Sequence, residues 1–282
     1  MIHDQFGYAD GVSIVMQQVE DVLVKYMHIP RSQIYYLVGK SNHHDQRITT
    51  NALLKSTDEL NVMMQQQYTK GYTQEQHIRI NNTVQQAADF IAAWVSKHRI
   101  DVIIGHNLCH PVNFILSLAV AAYYKEAVSP PRYVLWWHDS HLERKHFMHP
   151  APDANKLLLQ GVPGPYPDHI VFINSLQHTI SKPYFAQLGK SYDNTVIYNT
   201  TDCRISSYDD LDCNHRDVKQ FKDDFCVDTR STLFCLQHTR IVARKRIDVA
   251  LRFFFELVHQ STYDKGYFFI SDRKSTRLNS SH

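Results

Sequence analysis

VQQAADFIAAWVSKHRIDVIIGHN, residues 84–107, sets an amphipathic helix directly against a short apolar strand. Val84, Ala87, Ala88, Ile91 and Val95 recur at spacings of three and four, which places them on one face of a helix. Asp101-Val-Ile-Ile-Gly105 then runs apolar without a helical period and stops at glycine, as a strand buried on both faces does. The same alternation extends in both directions. Upstream, Val12, Val15, Met16, Val19, Val22, Leu23 and Tyr26 form a helical face that ends before Pro30, and Ile34–Val38 reads as a buried strand stopped by Gly39. Downstream come an apolar helix over 112–124, strands at Tyr133–Trp137 and His169–Asn174, a short helix at Ser175–Leu188 and a strand at Thr195–Tyr198. Strands joined by helices need right-handed crossovers, so this pattern predicts a Rossmann-like, doubly wound α/β domain with a mostly parallel sheet.

The rhythm breaks at 200–231, where the polar, acidic run SSYDDLDCNHRDVKQFKDDF (206–225) reads as an interdomain linker. A strand at Leu233–Leu236 and a helix carrying Ile247, Ala250, Leu251, Phe254 and Val258 then open a second βα unit. The expected organisation is a first domain over 1–200, a linker over 201–231, the start of a second domain over 232–271 and a tail over 272–282. The tail, DRKSTRLNSSH, reads as an in-frame translation of a sequencing-adapter oligonucleotide, so the natural chain is expected to continue past Ser271. At the other end, Met1 is followed by an expected loop over His3–Gly11. That leaves too few residues for the central first strand of a doubly wound sheet, and the natural amino terminus is expected upstream.

Composition narrows the function classes. Of 30 basic and 28 acidic side chains, Arg273, Lys274, Arg277 and Asp272 lie in the tail, leaving 27 of each sign in the body. A neutral body gives no electrostatic reason to expect nucleic acid or an anionic surface as partner. The five cysteines are odd in number and contain no C-x-x-C pair, so neither a disulfide framework nor a zinc knuckle is expected, and a cytoplasmic setting fits. The most apolar stretch, Phe114–Tyr124, is about half the roughly 20 residues a membrane span requires and reads as a core helix. HDSHLERKHFMH gathers His138, Asp139, His141, His146 and His149, yet histidine separations of three and five match no helical zinc site or finger. With 18 histidines in the chain, a solvated loop and helix start accounts for that crowding better than a metal hydrolase does.

Six blocks in order carry a resemblance: Asp10-Gly11 opening the first helix, DVIIGHN (101–107), YVLWWHDSHLER (133–144), HIVFINS (169–175), VIYNTTD (196–202) and LQHTRIVARKRIDVAL (236–251). Together they resemble the retaining GT-B glycosyltransferases of family 4, the group 1 transferases. The resemblance implies two Rossmann-like domains, a metal-independent transferase without cofactor, a nucleotide-sugar donor held mainly by the second domain and a saccharide or lipid-linked acceptor held mainly by the first. It also allows a cytoplasmic protein peripheral to a membrane.

In open α/β sheets ligands sit beyond the carboxyl ends of the strands. His106, Asn107, His138 and Asp139 each follow a strand directly. By the resemblance His138 is the histidine beside the transferred sugar, with Asp139 its catalytic neighbour and His106 and Asn107 on the acceptor side; from residues alone, 138–139 reads equally as a structural pair at a strand end. Arg240 and Lys245 match the family's clamp on the donor phosphates, where fixed cations stabilise the leaving group; the alternative is a basic solvated loop with Arg244 and Arg246 as equal members. Gly11 matches a small residue that lets backbone amides approach the donor diphosphate at a helix N-terminus, or is simple turn punctuation. Three departures stand out: Asp10 occupies a position where the family has glycine, as does Arg246, and Thr200 stands where a glycine often turns the chain. The family's E-x7-E block, two acidic residues contacting the donor sugar, is absent from the sequence. The residues therefore leave open a non-catalytic carbohydrate- or nucleotide-binding relative of the same fold.

Overall fold

The computed structural model describes residues 1–200, 216–225 and 231–270, apart from Ala9, Lys190, His238 and Arg240. The adapter-like tail and most of the expected linker lie outside them. Contacts divide the chain into two units, Met1–Thr201 and Asp202–His282.

The first unit runs β1 (Ile2–Phe6), α1 (Gly11–Lys25), β2 (Tyr36–Ser41), β3 (Ile48–Thr50), α2 (Glu59–Gln67), α3 (Gln74–His98), β4 (Val102–His106), α4 (Phe114–Glu126), β5 (Arg132–Trp137), α5 (Pro152–Gly161), β6 (His169–Phe172), α6 (Ser175–Gln187) and β7 (Asp193–Val196). Its seven strands form one parallel sheet in the order β3-β2-β1-β4-β5-β6-β7. The chain winds outward from β1 to β3, then returns to β4 on the other side of β1. That reversal creates a crevice beyond the carboxyl ends of β1 and β4, the position where open α/β sheets bind ligands.

The expectation of a missing first strand is overturned. β1 exists, and it is central, with Ile2 registered between Leu37 of β2 and Gly105 of β4. Its sequence, IHDQF, hides the strand because three of its five residues are polar, and each is satisfied by the fold. His3 Nδ1 bonds the His106 carbonyl at 2.9 Å, Asp4 accepts from the Ser56 amide at 2.6 Å, and Gln5 donates to Asp10 at 3.0 Å. The expected loop is thus confined to the turn after Phe6. Gly7 begins that turn at φ +81°, and a side chain there would also collide with Asn42 and His43.

Helices cover both faces of the sheet. α1 packs Met16 against Phe6, Tyr36 and Val38, and its buried Glu20 accepts from Tyr36 and, at 2.8 Å, from Arg47. A larger core joins Ile2, Leu37, Ile103, Leu135, Trp137 and Phe172 to residues of α2 to α6. α3 starts at a Thr73/Gln76 capping box, which satisfies two otherwise orphaned amide donors, and stops at Arg99 in the left-handed region. α4 is buried on nearly every side and packs against α3 and α5, which is why its sequence is apolar without a polar face. No helix among the described residues is long and apolar enough to cross a membrane.

The second unit contains α7 (Arg216–Asp224), β8 (Thr232–Gln237), α8 (Ile247–Gln260) and β9 (Lys265–Ile270). β8 and β9 pair in parallel across α8, a βαβ unit. Phe254 of α8 packs on Phe268 at 5.2 Å between ring centres. Part of the acidic stretch read as linker is in fact α7: Phe221 lies 5.1 Å from Phe269, and Phe225, just past the helix, lies 5.3 Å from the same ring. Among the described residues, those two aromatic side chains tie the mainly polar helix to β9.

Candidate functional site

The crevice of the first unit is built by three strand ends and the start of α1. Asp10 caps α1: its Oδ1 accepts from the Val12 and Ser13 amides at 3.1 Å each, and its Oδ2 accepts from the Ser13 hydroxyl at 2.7 Å. A capping aspartate satisfies amides that an incoming anion would otherwise take, and it places a negative charge at the positive end of the helix. Gly11 is the first helical residue; a side chain there would meet nothing within 4 Å, so neither crowding nor backbone conformation demands glycine. The D-G-V-S start followed by helical periodicity is itself a capping signal in the sequence.

His106 closes β4 and is fully buried. Its ring stacks near Trp136 with centres 5.6 Å apart, and its Nδ1 lies 3.1 Å from Nε2 of His138, the residue after β5. Asn107 follows at φ +60°, a conformation asparagine tolerates better than most residues, and its amide donates to the Trp136 carbonyl at 3.0 Å. Sequence-predicted His106, Asn107 and His138 are therefore brought together; His106 is fully enclosed, whereas Asn107 and His138 are half-buried. His106 reaches a ligand through His138. Three buried polar atoms here, His106 Nε2, Asn107 Oδ1 and Trp136 Nε1, have no hydrogen-bond partner among the described residues. Of these, Asn107 Oδ1 and Trp136 Nε1 need a partner whatever the ring tautomer, and they mark a place where water or ligand completes the bonding.

Asp139 is engaged differently. Arg144 grips its carboxylate through both Nε, at 2.8 Å, and Nη2, and the Ser140 amide donates to it at 3.0 Å. The loop beneath is tied by Gln177, which donates to the His138 carbonyl at 3.1 Å and to Glu143 at 2.9 Å, and by Cys109, whose thiol donates to the Asp139 carbonyl. Asp139 thus anchors the loop that carries His138. Gln177 does that work without any motif that announces it in the sequence, and Arg144 does so from the end of the YVLWWHDSHLER block, where no role for it was legible.

Burial sets the charge state. It holds His138 down at about 3, with His3 adding to the effect and Asp10 and Asp139 opposing it, and it drives His106 well below its usual range, with His138 and His3 reinforcing. Both rings are neutral at pH 7. The remaining histidines of the crowded stretch scatter: His141 packs edge-on to Tyr184, and His146 lies against Phe147. Among the described residues no group of three or more His, Cys, Asp or Glu side chains is placed to hold a metal ion.

In the second unit Arg240 lies outside the described residues. Lys245 ends a short 3-10 turn before α8 and makes no ion pair among the described residues, whereas Arg246 pairs with Asp248 at 3.1 Å. Arg246 also adopts φ +47°, ψ +45°, the left-handed conformation for which glycine is the usual residue. Compared with known proteins, the chain matches no protein-family model and no curated sequence.

Proposed function

We propose that the intact protein is a retaining glycosyltransferase that moves a hexose from a nucleotide-sugar to a saccharide or lipid-linked acceptor, and that the 282-residue chain is itself inactive. The observation that carries this reading is the crevice at the carboxyl ends of β1, β4 and β5, where neutral His138 is backed by buried His106 and the residue after His106, Asn107, has an unpartnered amide oxygen. Uncharged donors and acceptors beside a capped helix suit hydroxyl groups, not phosphates. In this reading the first unit serves the acceptor and transferred sugar, while Arg240 and Lys245 of the second hold the donor phosphates; it involves no metal and no nucleic acid, and places the protein in the cytoplasm or at a membrane surface. A second reading, a non-catalytic carbohydrate- or nucleotide-binding relative, is favoured by Asp10, which occupies the α1 amides, and by the absence of an E-x7-E block from the sequence.

Titrating the purified chain with UDP-glucose, GDP-mannose, UDP, GDP and the free hexoses, while following the His138 ring by NMR, tests the proposal. At least one sugar-bearing probe should shift His138, with no turnover. If millimolar concentrations of every probe leave His138 unmoved in the folded chain, the sugar-binding reading falls. Lys245→Ala or Arg240→Ala should weaken nucleoside diphosphate binding about tenfold or more, the scale of one charge-assisted hydrogen bond. Arg246→Ala, whose guanidinium already has Asp248, should change it little.

A further inference from the structure

We infer that buried His106 fixes the tautomer of His138, so that His138 offers the crevice an Nδ1–H donor and keeps its basic lone pair turned inward. His106 Nδ1 and His138 Nε2 lie 3.1 Å apart, so one of them carries the shared proton. If His138 Nε2 carried it, neutral His106 would have to protonate its own Nε2, which has no acceptor among the described residues. A buried N–H without an acceptor is the rarer and costlier orphan; a bare ring nitrogen leaves only a lone pair unmet. The proton therefore sits on His106 Nδ1 and is donated to His138 Nε2. His138 is neutral, so its own proton is on Nδ1.

The surroundings hold His106 in place for this role. Its ring is stacked on Trp136, and its carbonyl accepts from Nδ1 of buried His3 at 2.9 Å. His106 is thus a positioning residue, and its effect on a ligand passes through His138. The chemical consequence is specific: with its only basic nitrogen engaged, His138 cannot take a proton from a ligand and instead donates to an accepting oxygen. That the oxygen belongs to a sugar hydroxyl rests on the function proposed above; the tautomer does not.

Two-bond proton–nitrogen correlation spectra of the full chain, labelled with 15N-histidine and without ligand at pH 7.5, read the tautomer directly. The His138 signals are identified by their loss in His138→Gln. The expected spectrum has Nδ1 protonated and Nε2 bare in His138; a protonated Nε2 would overturn the inference. His106→Asn places an amide donor near the position of Nδ1 and should keep the His138 tautomer, whereas His106→Leu should release it to the commoner Nε2–H form. An unchanged tautomer in His106→Leu would remove His106 from the positioning role. The wild-type spectrum decides the tautomer even if the leucine variant does not fold. Because no ligand is present, the outcome is separate from the fate of the glycosyl-transfer reading.

Discussion

Asp10 concentrates the chemistry of the crevice in one carboxylate. It caps two amides, accepts from Ser13 and Gln5, and lies close enough to His138 and His3 to favour their charged forms against burial. Replacing it by alanine removes the cap, an effect of about 1 kcal/mol on stability, and uncovers amides at the positive end of α1. Asp10→Ala should therefore lower the denaturant midpoint of the first unit and, at the same time, bind inorganic phosphate more tightly than the parent chain does. Asp10→Asn separates the two effects: it retains a capping oxygen, so stability should nearly recover, while the lost charge still favours anions. If phosphate binds no better to either variant, the capped helix start is not what keeps anions out of the crevice.

At the scale of elements, legibility followed periodicity. α1, α3, α4, β4, β5 and β6 were readable because their side chains face one environment each: a helix stripe against the sheet, or a strand covered on both faces. β1 was not, because His3, Asp4 and Gln5 are satisfied by partners far away in sequence or by the next helix cap, and no local pattern encodes such partners. α7 was hidden for a related reason, since its few aromatic contacts come from the next strand pair. Of the site, the positions after β4 and β5 were legible as strand ends, but the burial of His106 and the Arg144 grip on Asp139 depend on packing between elements. The pairing of β1 with β2 supplies an element-scale test. A side chain at Gly39 would meet the carbonyl oxygens of Leu54 at 2.6 Å and Asp4 at 2.7 Å. Both are backbone atoms, which cannot rotate away. Gly39→Ala should cost about 3 kcal/mol, the upper part of the range for overpacking a core, or abolish folding; a change in denaturant midpoint equivalent to less than about 1 kcal/mol would mean that β1 does not sit where described.

For the whole first unit, buried neutral histidines predict how stability depends on pH. Burial lowers His110 and His141 to about 4 and His138 to about 3, and it lowers His3 and His106 as well. In the unfolded chain each returns to about 6.5. Above that value neither state binds the protons, and these groups leave stability unaffected. Below it the unfolded chain takes up protons that the folded unit refuses, so stability falls as pH drops from about 6.5 towards 4, by up to about 1.4 kcal/mol per pH unit for each such proton. The lowered carboxylates Asp45 and Asp153 act in the same direction, but only as pH falls through the range below about 4. The two contributions therefore occupy different windows. All three tryptophans, Trp94, Trp136 and Trp137, lie in the first unit, so their fluorescence follows its unfolding alone. The urea midpoint read this way should decline gently below about pH 8, where burial has lowered the Met1 amine to about 5, and fall much more steeply between 6.5 and 4 as the histidines add to it; His141→Gln should lessen that steep slope by up to one proton. A midpoint that stays level from pH 7 to 4.5 would show that the rings titrate as freely in the folded unit as in water, and the neutral crevice on which the sugar-binding reading depends would be lost with it.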